Sequence, residues 1–262
     1  MLVIDDINTN PGPFLQNRET QKTLLSCALV CRAWLRCAQK HLYTSIAVRM
    51  PDLNSLNKTL KSTYRLSSHV NKLEILNDYS RELMSSFVIS HQLFNLVTLT
   101  IESLNLTQEH PLIYRATLFH SIQHLCLIEL PDCQLSQLVR FINSFSSLVS
   151  FKVFTRVLKH RGQILPKPIF RPKPLVRLDL SLIPGITGLI LWFLKDGVFL
   201  NCLKTLVLRC YIKDSKDRFR LCFEGVDALL SRCRDELDDL TLSFSRIPLV
   251  NDVSYLCMPS IF

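Results

Sequence analysis

One apolar pattern recurs down this chain at near-constant spacing, and no other feature limits the fold as strongly. It reads apolar-x-x-apolar-x-apolar. Seven copies stand at Val70/Leu73/Ile75, Leu96/Leu99/Ile101, Ile122/Leu125/Leu127, Leu148/Phe151/Val153, Leu175/Leu178/Leu180, Leu203/Leu206/Leu208 and Leu237/Leu240/Leu242. Their start-to-start steps are 26, 26, 26, 27, 28 and 34 residues. A weaker copy, Tyr43/Ile46/Val48, lies 27 residues before Val70. A fixed period of about 20–29 residues is what a chain of stacked structural repeats writes into its sequence. Within Leu175-Val-Arg-Leu178-Asp-Leu180, residues 178 and 180 share one strand face, while Arg177, Asp179 and Ser181 share the other. One such strand cannot bury its apolar face alone. Parallel stacking of successive strands, with each return segment covering the far side, makes a continuous core. Three identical steps of 26 argue against the competing reading, an ordinary α/β domain that happens to be Leu-rich.

The return segments suit helices. Gln134–Phe145 carries Leu135, Leu138, Val139, Ile142 and Phe145 at i, i+3, i+4, i+7 spacing. Arg81–Leu93 and Phe223–Cys233 are shorter versions of the same pattern. Ile186–Leu194 is apolar all round, too short to span a bilayer and stopped by Lys195-Asp196, so a buried return helix is expected there.

The pattern over Tyr43–Phe244 resembles the leucine-rich repeat family, which implies an α/β solenoid of parallel strands with helical or irregular returns. Regular members carry Asn or Cys eight positions after the first Leu, bonding neighbouring turns. Here those positions are Asp78, Leu104, Leu130, Arg156, Ile183, Tyr211 and Ser245, so the resemblance is to the irregular kind.

Composition is in keeping with this. The 262 residues are 48% hydrophobic and 20% charged, enough for one elongated core and an ordinary surface. Six glycines, at 12, 162, 185, 188, 197 and 225, cannot build a Gly-rich phosphate loop. The N-terminus lacks the basic start and apolar run of a secretory signal. The ten cysteines are therefore expected as reduced thiols of a cytoplasmic or nuclear protein, with Cys126, Cys202 and Cys222 in apolar stretches. The net charge of +9 is uneven. Cys133–Arg177 holds nine Lys/Arg and no acid, whereas Glu224–Asp239 holds six acids against Arg232 and Arg234.

Ahead of the repeats, Leu24/Leu25, Cys27/Ala28, Cys31, Trp34/Leu35 and Ala38 fall at helical spacing, with Lys22, Arg32, Arg36 and Lys40 elsewhere. One reading is an amphipathic cap on the first repeat. The string Leu24-x-x-Cys-Ala-Leu-Val-Cys-Arg-x-Trp34, then His41-Leu-Tyr-x-x-Ile46, also resembles the second half of an F-box, in the style of the large families of mushroom-type fungi. The resemblance implies a helical segment over residues 1–45 that docks a Skp-type adaptor of a cullin ubiquitin ligase, followed by a repeat domain over 46–262. Leu25, Leu29, Val30 and Trp34 match the box's apolar and aromatic positions. The first half of a box would open with Leu-Pro and an apolar helix. Only Leu2–Ile7 matches the end of that helix before the turn-rich Asn8–Pro13. On this resemblance the expectation is either a truncated chain or a degenerate box.

No catalytic motif is present: there is no Gly-x-Ser-x-Gly, His-Glu-x-x-His or Cys-x-x-Cys. Cys27-x3-Cys31-x5-Cys37 does not fit zinc spacing, and His120 and His124 straddle the start of a strand, so no metal or cofactor is expected. The expected function is a non-enzymatic substrate receptor whose repeats bind a protein target. The alternative is a leucine-rich scaffold or decayed family member with no ubiquitin role. The expected target face is concave, lined by Lys72, Glu74, Thr98, Thr100, His124, Lys152, Arg177, Asp179, Thr205 and Asp239. Leu158–Pro174, with Pro166, Pro168, Pro172 and Pro174, reads as an extended basic loop carrying Lys159, Arg161, Lys167, Arg171 and Lys173. It is either a solvated strap or a contact for an acidic partner. A membrane is not an expected partner, and nucleic acid fits poorly because aromatic residues do not interleave with the cations.

Overall fold

The computed structural model describes residues 14–49, 52–76, 93–103, 121–130, 133–155, 158, 174–182, 186–196, 200–212 and 219–246. Eight strands form one all-parallel sheet in which spatial order is chain order: β1 (Ser45–Arg49), β2 (Lys72–Leu76), β3 (Thr98–Glu102), β4 (His124–Ile128), β5 (Ser150–Phe154), β6 (Arg177–Leu182), β7 (Thr205–Ile212) and β8 (Asp239–Arg246). Every copy of the apolar pattern is therefore one strand, the upstream Tyr43/Ile46/Val48 copy included. The registers repeat the sequence steps: Ser45 pairs Lys72, Lys72 pairs Thr98, Thr98 pairs His124 and His124 pairs Ser150. An α/β arrangement with one strand per repeat, stacked in order, is compatible with a solenoid.

The steps lengthen where the return helices lengthen. α5 (Leu135–Asn143, 9 residues) connects β4 and β5. α6 (Ile186–Asp196, 11 residues) connects β6 and β7, and α7 (Phe219–Cys233, 15 residues) connects β7 and β8. Earlier in the chain stand α1 (Phe14–Ala28), α2 (Arg32–Thr44), α3 (Leu53–Ser62) and α4 (Tyr64–Ser67). The extra residues are absorbed on the return side, so strand pairing keeps its register.

The inner face is closed as the alternation predicts. Leu99 and Leu125 are each 1% exposed, and Leu178 and Leu206 are inaccessible. One continuous apolar cluster runs from Val48 to Cys233 and takes in the buried face of α5. Within it Phe141 meets Phe145 edge-on at 5.0 Å, and Phe193 of α6 lies 6.2 Å from Phe151 of β5. A Cβ on Gly225 would stand 3.2 Å from Thr187 Cγ2, so glycine lets α7 approach α6 closely.

Two expectations change. In α6, Leu191 is 53% exposed, so this helix is not buried all round. In β8, Leu240 and Leu242 are 43% and 50% exposed, because among the described residues no further strand stacks on that edge. The segments over 81–92 and 159–173, and Leu2–Pro13, lie outside the described residues.

No Asn ladder ties the repeats, and the backbone takes over that role. The carbonyls of Asn71, Val97, Gln123, Val149, Val176 and Lys204, each just ahead of a strand, each accept two N–H groups from the next repeat, at 2.8–3.2 Å. Beyond two strands, Ser103 (φ 55°) and Glu129 (φ 52°) take the left-handed conformation. Their N–H groups reach Ile128 O and Phe154 O on the next strand, both at 2.7 Å. Side chains add irregular ties: Ser121 Oγ donates to Leu96 O at 2.7 Å, and Thr155 Oγ1 to Leu130 O at 3.0 Å.

Two substitutions test this core from opposite sides. Leu125→Ala opens a cavity in the central repeat and should cost about 2–5 kcal/mol in urea unfolding. Asn143 is buried with neither amide atom hydrogen-bonded. An unpaired buried polar group costs about 1–3 kcal/mol, so Asn143→Leu should raise the urea midpoint.

Candidate functional site

In-register parallel pairing turns the outer sheet face into rows. One row runs Lys72, Thr98, His124, Ser150, Arg177, Thr205, Asp239. The next runs Glu74, Thr100, Cys126, Lys152, Asp179, Val207, Thr241. All ten residues expected on a target face thus share one side of the sheet, on adjacent strands about 4.8 Å apart. Their surroundings differ. His124, Arg177 and Asp239 are exposed, and Lys72, Glu74, Thr98, Thr100, Lys152 and Thr205 are half-buried. Asp179 is 1% exposed.

Asp179 is the hub of the central patch. Arg209 grips it with two bonds, Nε to Oδ1 at 3.1 Å and Nη2 to Oδ2 at 3.2 Å. Lys152 Nζ lies 3.9 Å from Oδ2. Both cations also lie over the ring of Phe154, Lys152 Nζ at 4.7 Å from its centroid and Arg209 Cζ at 5.1 Å. A buried carboxylate needs such partners, since an isolated ion in this setting is costly. Asp179 therefore acts on the face through the two cations it holds in place. At the other end of the face, Lys72 Nζ pairs with Glu74 Oε1 at 2.7 Å.

Arg209 and Phe154 are absent from the sequence-derived set. Each continues its strand's outward alternation by one more position (150/152/154 and 205/207/209), and that periodicity is the signal that would have found them. Ser181, next on β6 after Asp179 and paired in register with Arg209, is 1% exposed with its Oγ unpartnered. Val207, which shares the outward alternation of β7 with Thr205 and Arg209, is 4% exposed.

A second constellation lies before the sheet. α1 ends at Ala28, Leu29 and Val30 turn, and Cys31 is extended (φ −160°) before α2 begins. The turn is fixed by Leu29 N–H to Ser26 O and Val30 N–H to Cys27 O, both 3.1 Å. This helical pair has a small core of its own, Leu24, Cys27 and Ala38, with Ala28, Trp34, Cys37 and Leu42 packed on it. Of the residues matched to an adaptor-docking surface, Leu25, Leu29 and Val30 point outward at 56%, 88% and 66% exposure, joined by Leu35. Trp34 is half-buried on the inner side.

Seven described cysteines are free. Burial pushes the Cys133 thiol up to about 12 and the Cys126 thiol up to about 11, the latter partly offset by the Lys152 ammonium. Cys202, expected in an apolar stretch, is exposed in the turn before β7, and Cys31 is exposed as well. Among the described residues no group of three or more His, Cys, Asp or Glu could hold a metal ion, and no helix is long and apolar enough to cross a membrane. The basic-loop residues Lys159, Arg161, Lys167, Arg171 and Lys173, and His120, lie outside the described residues. No protein-family model matches the chain, and no curated protein matches it.

Removing Arg209 leaves Asp179 with Lys152 alone, so Arg209→Ala should lower unfolding free energy by about 1–3 kcal/mol, and Asp179→Asn on that background should restore part of it. Thiolate is the reactive form of cysteine. With iodoacetamide at pH 8, Cys31 and Cys202 should label first and Cys133 should resist until the chain unfolds, as read by peptide mass mapping.

Proposed function

We propose that this chain is a non-catalytic substrate receptor of the F-box kind. In this reading α1 and α2 recruit a Skp-type adaptor and through it a cullin ubiquitin ligase. The sheet is then an irregular leucine-rich repeat solenoid whose outer face holds a protein target. The observation that carries the reading is the exposed apolar crown on the helical pair. Leu25, Leu29, Val30 and Leu35 are large hydrophobic side chains left in water beside a core too small to use them. Clustered exposed apolar groups of this kind are typical of interaction surfaces. Leu25, Leu29 and Val30 are among the positions singled out by the resemblance to the second half of an F-box; Leu35 is an addition, and the fourth matched residue, Trp34, packs on the inner side.

The repeat domain supports the second half of the reading. Strand-borne side chains are presented without large ordering cost, which suits binding of a protein surface. Rows of mixed charge and hydroxyl groups resemble a recognition face more than a reaction centre.

Capture by an immobilised Skp-type adaptor tests the proposal. The wild-type chain should be retained, and Val30→Asp should be lost, because a charge placed at the centre of an apolar contact is buried without a partner. The exposure of Val30 predicts that this substitution leaves the urea midpoint unchanged. No retention of the wild type, or equal retention of both, favours the scaffold without a ubiquitin role.

A further inference from the structure

We propose that the outer face over β5–β7 is a site for an acidic peptide segment, which seats one carboxylate side chain between Lys152 and Arg209 with the Ser181 hydroxyl as a further donor. This rests on the reading of that face as the target surface.

Three observations converge on this chemistry. The first is unused donor capacity. Arg209 engages Asp179 through Nε and Nη2, and a guanidinium carries five N–H donors, so its Nη1 edge remains. Lys152 Nζ, at 3.9 Å from the same carboxylate, has its side chain 39% exposed and two further donors to offer. The second is Ser181, a residue 1% exposed whose buried hydroxyl is hydrogen-bonded to nothing. A buried unpaired hydroxyl is costly, and an acceptor arriving from a ligand removes the cost. Ser181 stands beside Arg209 in the β6–β7 register, so both donors serve the same place.

The third observation is charge. On the outward positions of β5, β6 and β7 stand three cations, Lys152, Arg177 and Arg209, and one acid, Asp179. The two cations that touch Asp179 and the carboxylate itself sum to a single positive charge, which one incoming carboxylate balances. The cations are also pre-set: Asp179 and the Phe154 ring hold both heads, so little side-chain freedom is lost on binding. The chain joining β5 to β6 adds six more cations, Arg156 among them, and no acid, which favours the approach of an acidic partner from a distance.

Fluorescein-labelled hexaglutamate, followed by anisotropy with the full chain at about 0.05 M salt, is the probe. The wild type should bind saturably. Lys152→Gln and Ser181→Ala should each weaken binding roughly fivefold, the loss of one charge-assisted bond. Ser181→Ala removes an unpartnered hydroxyl, so its melting temperature should hold or rise, which separates lost binding from lost fold. Val30→Asp should bind hexaglutamate like the wild type, so a failure of adaptor capture and a failure of this site are told apart. The proposal is overturned by an absence of saturable binding, by equal binding of all variants, by displacement with neutral hexaglutamine, or by inorganic phosphate competing better than acetate.

Discussion

Everything in this fold hangs on a single backbone arrangement: one carbonyl just before each of β2–β7 accepts two N–H groups from the next repeat. That contact fixes where each new strand begins relative to the last. A slip of one residue would turn every inward leucine to solvent, so the apolar alternation and the carbonyl position enforce the same register. The arrangement needs no particular side chain. The acceptors belong to Asn, Val, Gln, Val, Val and Lys, which is why the missing Asn ladder does not prevent stacking. It does leave the turns after the strands without a shared side-chain tie, and the chain fills these with local solutions such as the left-handed Ser103 and Glu129.

Fixed register has a consequence on the other side of the sheet. Outward side chains line up in rows, so a charge meets whatever its neighbouring repeats carry at the same position. Lys152 and Asp179 become neighbours because 27 residues separate them, and Arg209 joins because β7 runs one outward position further. The Asp179 cluster is thus written by repeat spacing, although nothing local in any one repeat announces it.

The inner face was legible because burial there is a property of each repeat by itself. Leu99, Leu125, Leu178 and Leu206 could be placed from the pattern alone, and so could α5, whose stripe is strict. What could not be read depends on several repeats at once. Asp179 looks like any polar strand residue until Arg209 and Phe154 are beside it. The exposure of Leu240 and Leu242 comes from what does not stack next to them, a property of position in the array rather than of residue type. Cys202 was misplaced for a smaller reason: an apolar neighbourhood in sequence fell in a turn in space. The helical pair was half legible, in that spacing gave two helices' worth of apolar positions but could not say which pointed inward.

The separation of the two apolar clusters bears on how the parts work together. The main core is shared by seven consecutive strand pairings, so the loss of one contact is spread along the array. The helical pair closes over only Leu24, Cys27 and Ala38. Few buried contacts mean a low free energy of local opening, so this element sits at the labile end of the molecule. A partner that covers Leu25, Leu29, Val30 and Leu35 would add apolar burial to a pair that has little of its own. Such an element would gain order from a partner, whereas the outer face of the sheet is already held by seven strand pairings.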